Sequence, residues 1–181
     1  MNIAIDCYKL IKGDEKTKEI YDFVKRIIEL LSEENLRRDK EHHIMVIGNS
    51  TNQDDYDKDG ISFLLMDGDP LKRSTVLKWE LIGVALMAPK LCCDKVFFPC
   101  GRLPLISGGK STVLLVDSHW KSMMAAKSAD RVIVLNDEVK NEIVRKNKKL
   151  DSKIRVLSDL DGKSKNSMEF GNYWKDLFAE I

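Results

Sequence analysis

The stretch Arg131-Val-Ile-Val-Leu-Asn-Asp-Glu-Val-Lys-Asn-Glu-Ile-Val144 decides the reading of the fold. Its first part, Arg131 to Leu135, is a short run of β-formers with no polar residue between the apolar ones. Such a run marks a strand buried on both faces, because a strand with one wet face alternates. Asn136-Asp137 then offers side-chain oxygens to the free N–H groups of a helix start, and Val139, Ile143 and Val144 recur at helical spacing. A buried strand followed at once by a capped amphipathic helix is the repeating unit of a parallel α/β sheet.

The same unit recurs along the chain. Asn2 to Cys7 is a strand that gives way to a polar stretch around Gly13. From Glu15 onward, Ile20, Phe23, Val24, Ile27, Ile28 and Leu31 make one buried helical stripe, which the charged stretch Ser32 to Glu41 brings to an end. Ile44 to Ile47, Ile61 to Met66, Lys95 to Phe98, Thr112 to Val116 and Ile154 to Leu157 read as further strands. Asp69 before Pro70 places a cap and a first helical residue for a helix running through Trp79 and Leu86 to about Ala88, where Pro89 interferes. A shorter helix spans roughly Trp120 to Lys127. The expected class is therefore α/β, a doubly wound, mostly parallel Rossmann-like sheet with helices on both faces, over residues 1–158. Residues 159–167 read as a linker rich in Gly, Ser, Lys and Asp. In 168–181, Phe170, Tyr173, Trp174, Leu177, Phe178 and Ile181 recur at helical spacing, so a terminal helix either docks on its own domain or offers its aromatic face to another chain.

Composition agrees with one ordinary domain: 181 residues, 43% hydrophobic and 33% charged. Thirty Lys and Arg against 29 Asp and Glu leave a formal charge of +1, which argues against a nucleic-acid partner held by a bulk positive field. No apolar run approaches the ~20 residues of a membrane span, and Asp6 interrupts the apolar start, so a cytoplasmic chain is expected. Cys7, Cys92, Cys93 and Cys100 include no C-x-x-C spacing and read as reduced, mostly buried thiols. Gly and Pro content is too low for a collagen-like or disordered chain.

Several motifs fail on inspection. Ser107-Gly-Gly-Lys-Ser-Thr112 imitates a phosphate-binding loop, but Pro104 stands where the leading Gly belongs and the segment precedes a strand. Asp55-Tyr-Asp-Lys-Asp-Gly60 matches the first half of a calcium loop, yet Met66 occupies the position of the bidentate Glu. Asp67-Gly-Asp69 has a metal-sharing spacing, which helix capping by Asp69 half explains. His42-His43 and His119 lack a third zinc ligand, so no metal site is expected. Ser118-His119 lacks the G-x-S-x-G elbow of a serine hydrolase.

Taken in order, several segments resemble the amino-terminal half of family-4 glycosyltransferases of the GT-B fold. Met1-Asn-Ile-Ala-Ile-Asp-Cys-Tyr-Lys-Leu10 resembles that family's opening strand, and Lys78-Trp-Glu-Leu81 its Trp-Glu pair. Asp94-Lys-Val-Phe-Phe-Pro99 and Arg102-Leu-Pro-Leu105 are similar to the next strand and its acceptor-side loop. Ser128-Ala-Asp-Arg-Val-Ile-Val-Leu135 resembles the entry to the last helix of that half, and Lys153-Ile-Arg-Val-Leu157 the strand leading to the linker between domains.

The departures are specific. Of the family's Gly-rich first loop only Gly13 remains, followed by Asp14-Glu-Lys16, whose two carboxylates would repel a phosphate. The family's His-Asp after the fifth strand aligns with Asp117-Ser118, and His119 lies two places later. No segment resembles the family's donor-binding half, and Phe170 to Ile181 is similar to its final crossover helix.

The resemblance implies an acceptor-side domain of glycan or polysaccharide synthesis, inactive alone, with Asp117 and His119 as catalytic candidates and Gly13, Arg102 and Ser118 as substrate-binding candidates. It implies no resident cofactor. A nucleotide-sugar donor would be held by a partner subunit, and the acceptor would be a glycan. The alternative is a non-catalytic binding or scaffolding module that uses the same edge for a protein partner or for self-association. A dinucleotide-binding protein is disfavoured, because no G-x-G-x-x-G follows the first strand.

Overall fold

The computed structural model describes residues 1–38, 42–83, 87, 90–104 and 109–156. Seven strands, β1 (Asn2–Asp6), β2 (His43–Gly48), β3 (Ser62–Leu65), β4 (Lys95–Phe98), β5 (Lys110–Leu115), β6 (Arg131–Val134) and β7 (Ile154–Val156), form one sheet in the order β3-β2-β1-β4-β5-β6-β7. Every neighbouring pair is parallel, with registers such as Ile5 beside Val46 and Phe97. The order reverses between β1 and β4, which leaves a crevice at their carboxyl ends. The α-helices whose full span is described are α1 (Lys18–Arg37), the one-turn α2 (Gln53–Tyr56), α3 (Arg73–Lys78), α4 (Trp120–Ser128) and α5 (Asp137–Lys146).

The continuous apolar runs now have a cause. Successive side chains of a strand point to opposite faces, and both faces carry a core. Ile3, Ile5, Phe97, Leu114 and Ile133 join the α1 residues Val24, Ile27, Ile28 and Leu31 on one side. Ala4, Val96, Phe98, Val113, Leu115, Val132 and Val134 join Trp79, Ala125, Ala126 and Ile143 on the other. The doubly wound sheet expected from the sequence is thus observed. Asn136 caps α5 as read, its Oδ1 accepting from Val139 N at 2.9 Å.

Several boundaries differ from the sequence reading. Helix α1 continues through the charged stretch to Arg37, because Ser32 and Asn35 face neighbouring loops instead of ending the buried stripe. Ser32 Oγ donates to Asp59 O at 2.7 Å, and Asn35 Nδ2 donates to His42 O and Gly60 O at 2.9 and 2.7 Å. Helix α3 starts at Arg73, not at Pro70. Asp69 instead turns the chain locally, accepting from Leu71 N at 2.9 Å. A π-helical turn, Trp79–Gly83, follows α3. Lys110, Ser111 and Thr112 lie in β5, where Ser111 and Thr112 are buried, so they form no phosphate loop. Cys7 and Cys93 are buried as expected and Cys100 is partly so, but Cys92 is exposed. The linker 159–167 and the terminal helix 168–181 lie outside the described residues, as does the end of the helix expected to reach Ala88.

The calcium-loop pattern dissolves into an ion-pair hub. Asp55 sits in α2, with Lys25 Nζ at 2.7 Å, Lys12 Nζ at 3.0 Å and the Tyr21 hydroxyl donating at 2.8 Å. The Lys25 ammonium, helped by the Tyr21 and Lys12 donors, holds the Asp55 carboxyl well below the usual carboxylate range. A depressed carboxylate stabilises the fold above its unfolded value of roughly 3.9, and that contribution drains away as pH falls through the lower folded value. Asp55→Asn should therefore cost roughly 1–3 kcal/mol at pH 7, read by urea denaturation. The gap from the parent chain should close as the pH is lowered below about 4. A gap that widens in acid would contradict this assignment.

Candidate functional site

The loop after β1 carries three carbonyl groups, of Cys7, Tyr8 and Leu10, which must be satisfied away from water. Two asparagines following β2 do this. Asn52 Nδ2 donates to Cys7 O at 2.9 Å and Leu10 O at 2.6 Å, while Asn49 Nδ2 donates to Tyr8 O at 2.7 Å and Leu10 O at 3.0 Å. Both asparagines are fully buried. Their oxygens are used as well: Asn52 Oδ1 accepts from Asn49 N, and Asn49 Oδ1 accepts from Thr51 N and Oγ1. Every strong hydrogen-bonding group in the pair has a partner, as burial requires.

The loop so held places Asp6, Tyr8 and Lys9 at the switch point. Asp6 is buried at the end of β1, and its Oδ1 accepts from Trp79 Nε1 at 3.0 Å and from Tyr8 N at 3.3 Å. Burial raises the Asp6 carboxyl above its ordinary value, with Lys9 and the Trp79 donor opposing. Above it, Glu80 pairs with Lys9 at 3.2 Å and receives two hydrogen bonds from Arg102 Nη1 at 2.7 and 2.9 Å. Three connections, from β1, from α3 and from β4, are thereby tied at one point. Gly101, at φ +66, lets the chain turn after β4 and deliver Arg102 there.

Beside this knot, at the carboxyl ends of β4 and β5, lies a cleft of about 210 Å³. Its walls include Arg102, Asp117, His119, Lys121 and Ser122, with Ile20 of α1 and Cys100 also lining it. The Ser122 hydroxyl at 2.5 Å, then the His119 backbone N–H at 2.9 Å, keep the Asp117 carboxyl below its usual range. Asp117 is therefore an anion and a weak base at neutral pH, suited to holding a hydroxyl or to facing positive charge. Burial pushes the Cys100 thiol up to about 12, which removes it as a nucleophile. His119 is exposed, with Trp120 beside it at 6.1 Å between ring centroids.

Of the five residues singled out from the sequence, the structure brings Arg102, Asp117 and His119 together. Ser118 is buried below: its Oγ donates to Glu142 at 2.7 Å, and Lys146 Nζ donates to its Oγ and carbonyl at 2.7 and 2.6 Å. That arrangement straps α5 to the end of β5. Gly13, at φ +83, lies in the loop before α1 and does not line the cleft. Lys9, Glu80 and Lys121 were not singled out as site residues. Only the Trp-Glu pair Trp79-Glu80 gave a hint of them. Among the described residues no cluster of three or more His, Cys, Asp or Glu side chains could hold a metal ion.

Asn52→Ala removes one of the donors to Cys7 O and to Leu10 O and leaves the buried Asn49 N–H without its acceptor, and should cost about 1–3 kcal/mol in urea denaturation. Asn52→Asp should cost more, because it turns a carboxylate toward carbonyl oxygens. Tyr8 gives the opposite case, since its hydroxyl is buried without a hydrogen-bond partner among the described residues. Tyr8→Phe should leave stability unchanged or raise it by up to about 1 kcal/mol, and a loss larger than that would reveal a partner for the hydroxyl.

No protein-family model matches the chain, and a search of curated proteins returns no match to it.

Proposed function

We propose that this domain is the acceptor side of a glycosyl-transfer site and works with a donor-binding partner. The supporting observation is the gathering of Arg102, Asp117 and His119 in one cleft at the carboxyl edge of a parallel sheet, beside its switch point. Transfer requires an acceptor hydroxyl held in line with the sugar carbon and positive charge for the departing diphosphate. Asp117 and the exposed imidazole of His119 supply polar contacts for hydroxyls, with His119 as the proton acceptor. Arg102 and Lys121 are the cations lining the cleft, and Arg102 is already paired with Glu80, so neutralising a diphosphate falls to the partner. The reading keeps the expected cytoplasmic location; among the described residues no helix is long and apolar enough to cross a membrane.

A second reading, a non-catalytic binding module on the same edge, is favoured by one detail. Asp117 is engaged in holding the start of α4, through Ser122 and the His119 N–H. The two readings separate by titrating the full chain with glycan acceptors and with a panel of sugar nucleotides, following amide resonances of residues 101–102 and 117–121. The acceptor-side reading expects shifts with glycans and none with sugar nucleotides alone. His119→Ala should weaken the glycan about tenfold while changing stability by less than about 0.5 kcal/mol, since His119 is a surface residue. Transfer or sugar-nucleotide hydrolysis by the chain alone sinks the divided-site reading, and silence toward both ligands favours the binding module.

A further inference from the structure

The four thiols of the chain are placed unevenly: Cys7 and Cys93 are buried, Cys100 is partly buried, and Cys92 is exposed. Cys92 and Cys93 are neighbours in the turn that leads into β4, at the amino-terminal edge of the sheet and so at the opposite end from the cleft. Cys92 is also the one non-glycine residue with a positive φ, +48°, among the described residues. A side chain is strained in that conformation, which glycine takes freely. The surroundings impose it. Asn2 Nδ2 donates to Cys92 O at 3.0 Å, Asn2 N donates to Asp94 Oδ2 at 2.8 Å, and Asp94 N donates back to Asn2 O at 2.9 Å. From the other side Lys110 N donates to Asp94 O at 3.0 Å, and the chain passes so close that a Cβ on Gly109 would stand 2.6 Å from Cys93 O. The starts of β1 and β5 therefore clamp a turn that keeps Cys92 in solvent with Cys93 directly behind it. Backbone strain that the fold over-determines in this way points to a use for the side chain that carries it.

The two thiols differ in role. Cys92 is open to a reagent in solution, whereas burial, then Asp94 and Cys92 itself, raise the Cys93 thiol above its ordinary value. Cys93 is a slow attacker of dissolved reagents, but it stands beside whatever Cys92 has bound, and such proximity replaces a bimolecular encounter. We propose that Cys92 and Cys93 are a reversible redox site for low-molecular-weight disulfides of the glutathione class. First, the Cys92 thiolate attacks one sulfur of the reagent, whose S–S bond breaks, and the departing thiolate takes up the proton that Cys92 lost. Then Cys93 gives up its proton and attacks the Cys92 sulfur, expelling the second thiol. Two protein S–H bonds give way to one S–S bond, and the reagent leaves as two thiols. Neighbouring Cα atoms are ~3.8 Å apart, short of the ~4.4–6.8 Å that ordinary disulfides span, so the ring is strained and a reductant reopens it readily. The site is independent of the glycosyl reading.

The test incubates the folded, reduced full chain with oxidised glutathione, blocks remaining thiols with iodoacetamide, and weighs tryptic peptides. Cleavage after Lys90 and Lys95 releases Leu91–Lys95, which holds Cys92 and Cys93 and no other cysteine. That peptide should appear unalkylated and two hydrogens lighter, while Cys7 and Cys100 are recovered alkylated, and dithiothreitol added before the block should restore the alkylated form. Cys93→Ser should accumulate glutathione on Cys92 at least fivefold above the parent chain. Cys92→Ser should slow all oxidation of the peptide at least tenfold. Melting temperatures check that both variants fold. A peptide that keeps both thiols, glutathione that accumulates equally with and without Cys93, oxidation as fast in Cys92→Ser, or a disulfide joining this peptide to another cysteine overturns the proposal.

Discussion

Two buried side-chain amides carry the arrangement of the functional edge. A loop at the end of a central strand must turn away from its neighbours, and its carbonyls lose their ladder partners as it does so. Asn49 and Asn52 supply the missing donors from the adjacent strand's end, in a place with no room for solvent. Without them the Cys7–Leu10 turn would have to move outward to water, taking Lys9 with it. The cost of leaving such groups unpaired is comparable to a sizeable fraction of a domain's net stability.

From that anchored loop the rest of the edge follows by charge pairing. Lys9 meets Glu80, and Glu80 meets Arg102, so the crossover helix and the loop after β4 are set relative to β1. Beneath them, the Trp79 indole satisfies the buried Asp6 and stacks near Tyr8, at 5.0 Å between centroids. One wall of the cleft is consequently held by these contacts. The other wall, Asp117 to Ser122, is held by the start of α4 and, through Ser118, by α5. Both walls are built on strand ends, the usual place for grafting a site on a parallel sheet.

The architecture was legible because most strand cores are unbroken apolar runs and each long helix a clear stripe. Those patterns report burial on two faces directly. Boundaries were less legible where polar residues do interior work. Ser32 and Asn35 read as a helix end but are buried ties to the loop before β3, and Asp69 reads as a cap but turns the chain ahead of α3. The asparagine clamp was invisible for a similar reason: Asn beside Gly or Ser after a strand signals a turn, and only the fold shows the side chains pointing inward. At the site, Arg102, Asp117 and His119 could be picked out because they follow strands. Ser118 looked equivalent to them, yet the half-turn between neighbours sends it under the surface to Lys146. Lys9 and Lys121 carried no signal, since isolated lysines on loops and helix starts are ordinary solvated residues.

The account stands or falls on what occupies the edge between Arg102 and His119. The most direct measurement is a crystal structure of the chain with a bound glycan acceptor. The account predicts the sugar against Asp117 and His119, in the cleft that Arg102 and Lys121 also line. Density for the ligand at any other place on the sheet, or with its sugar turned away from His119, would contradict it.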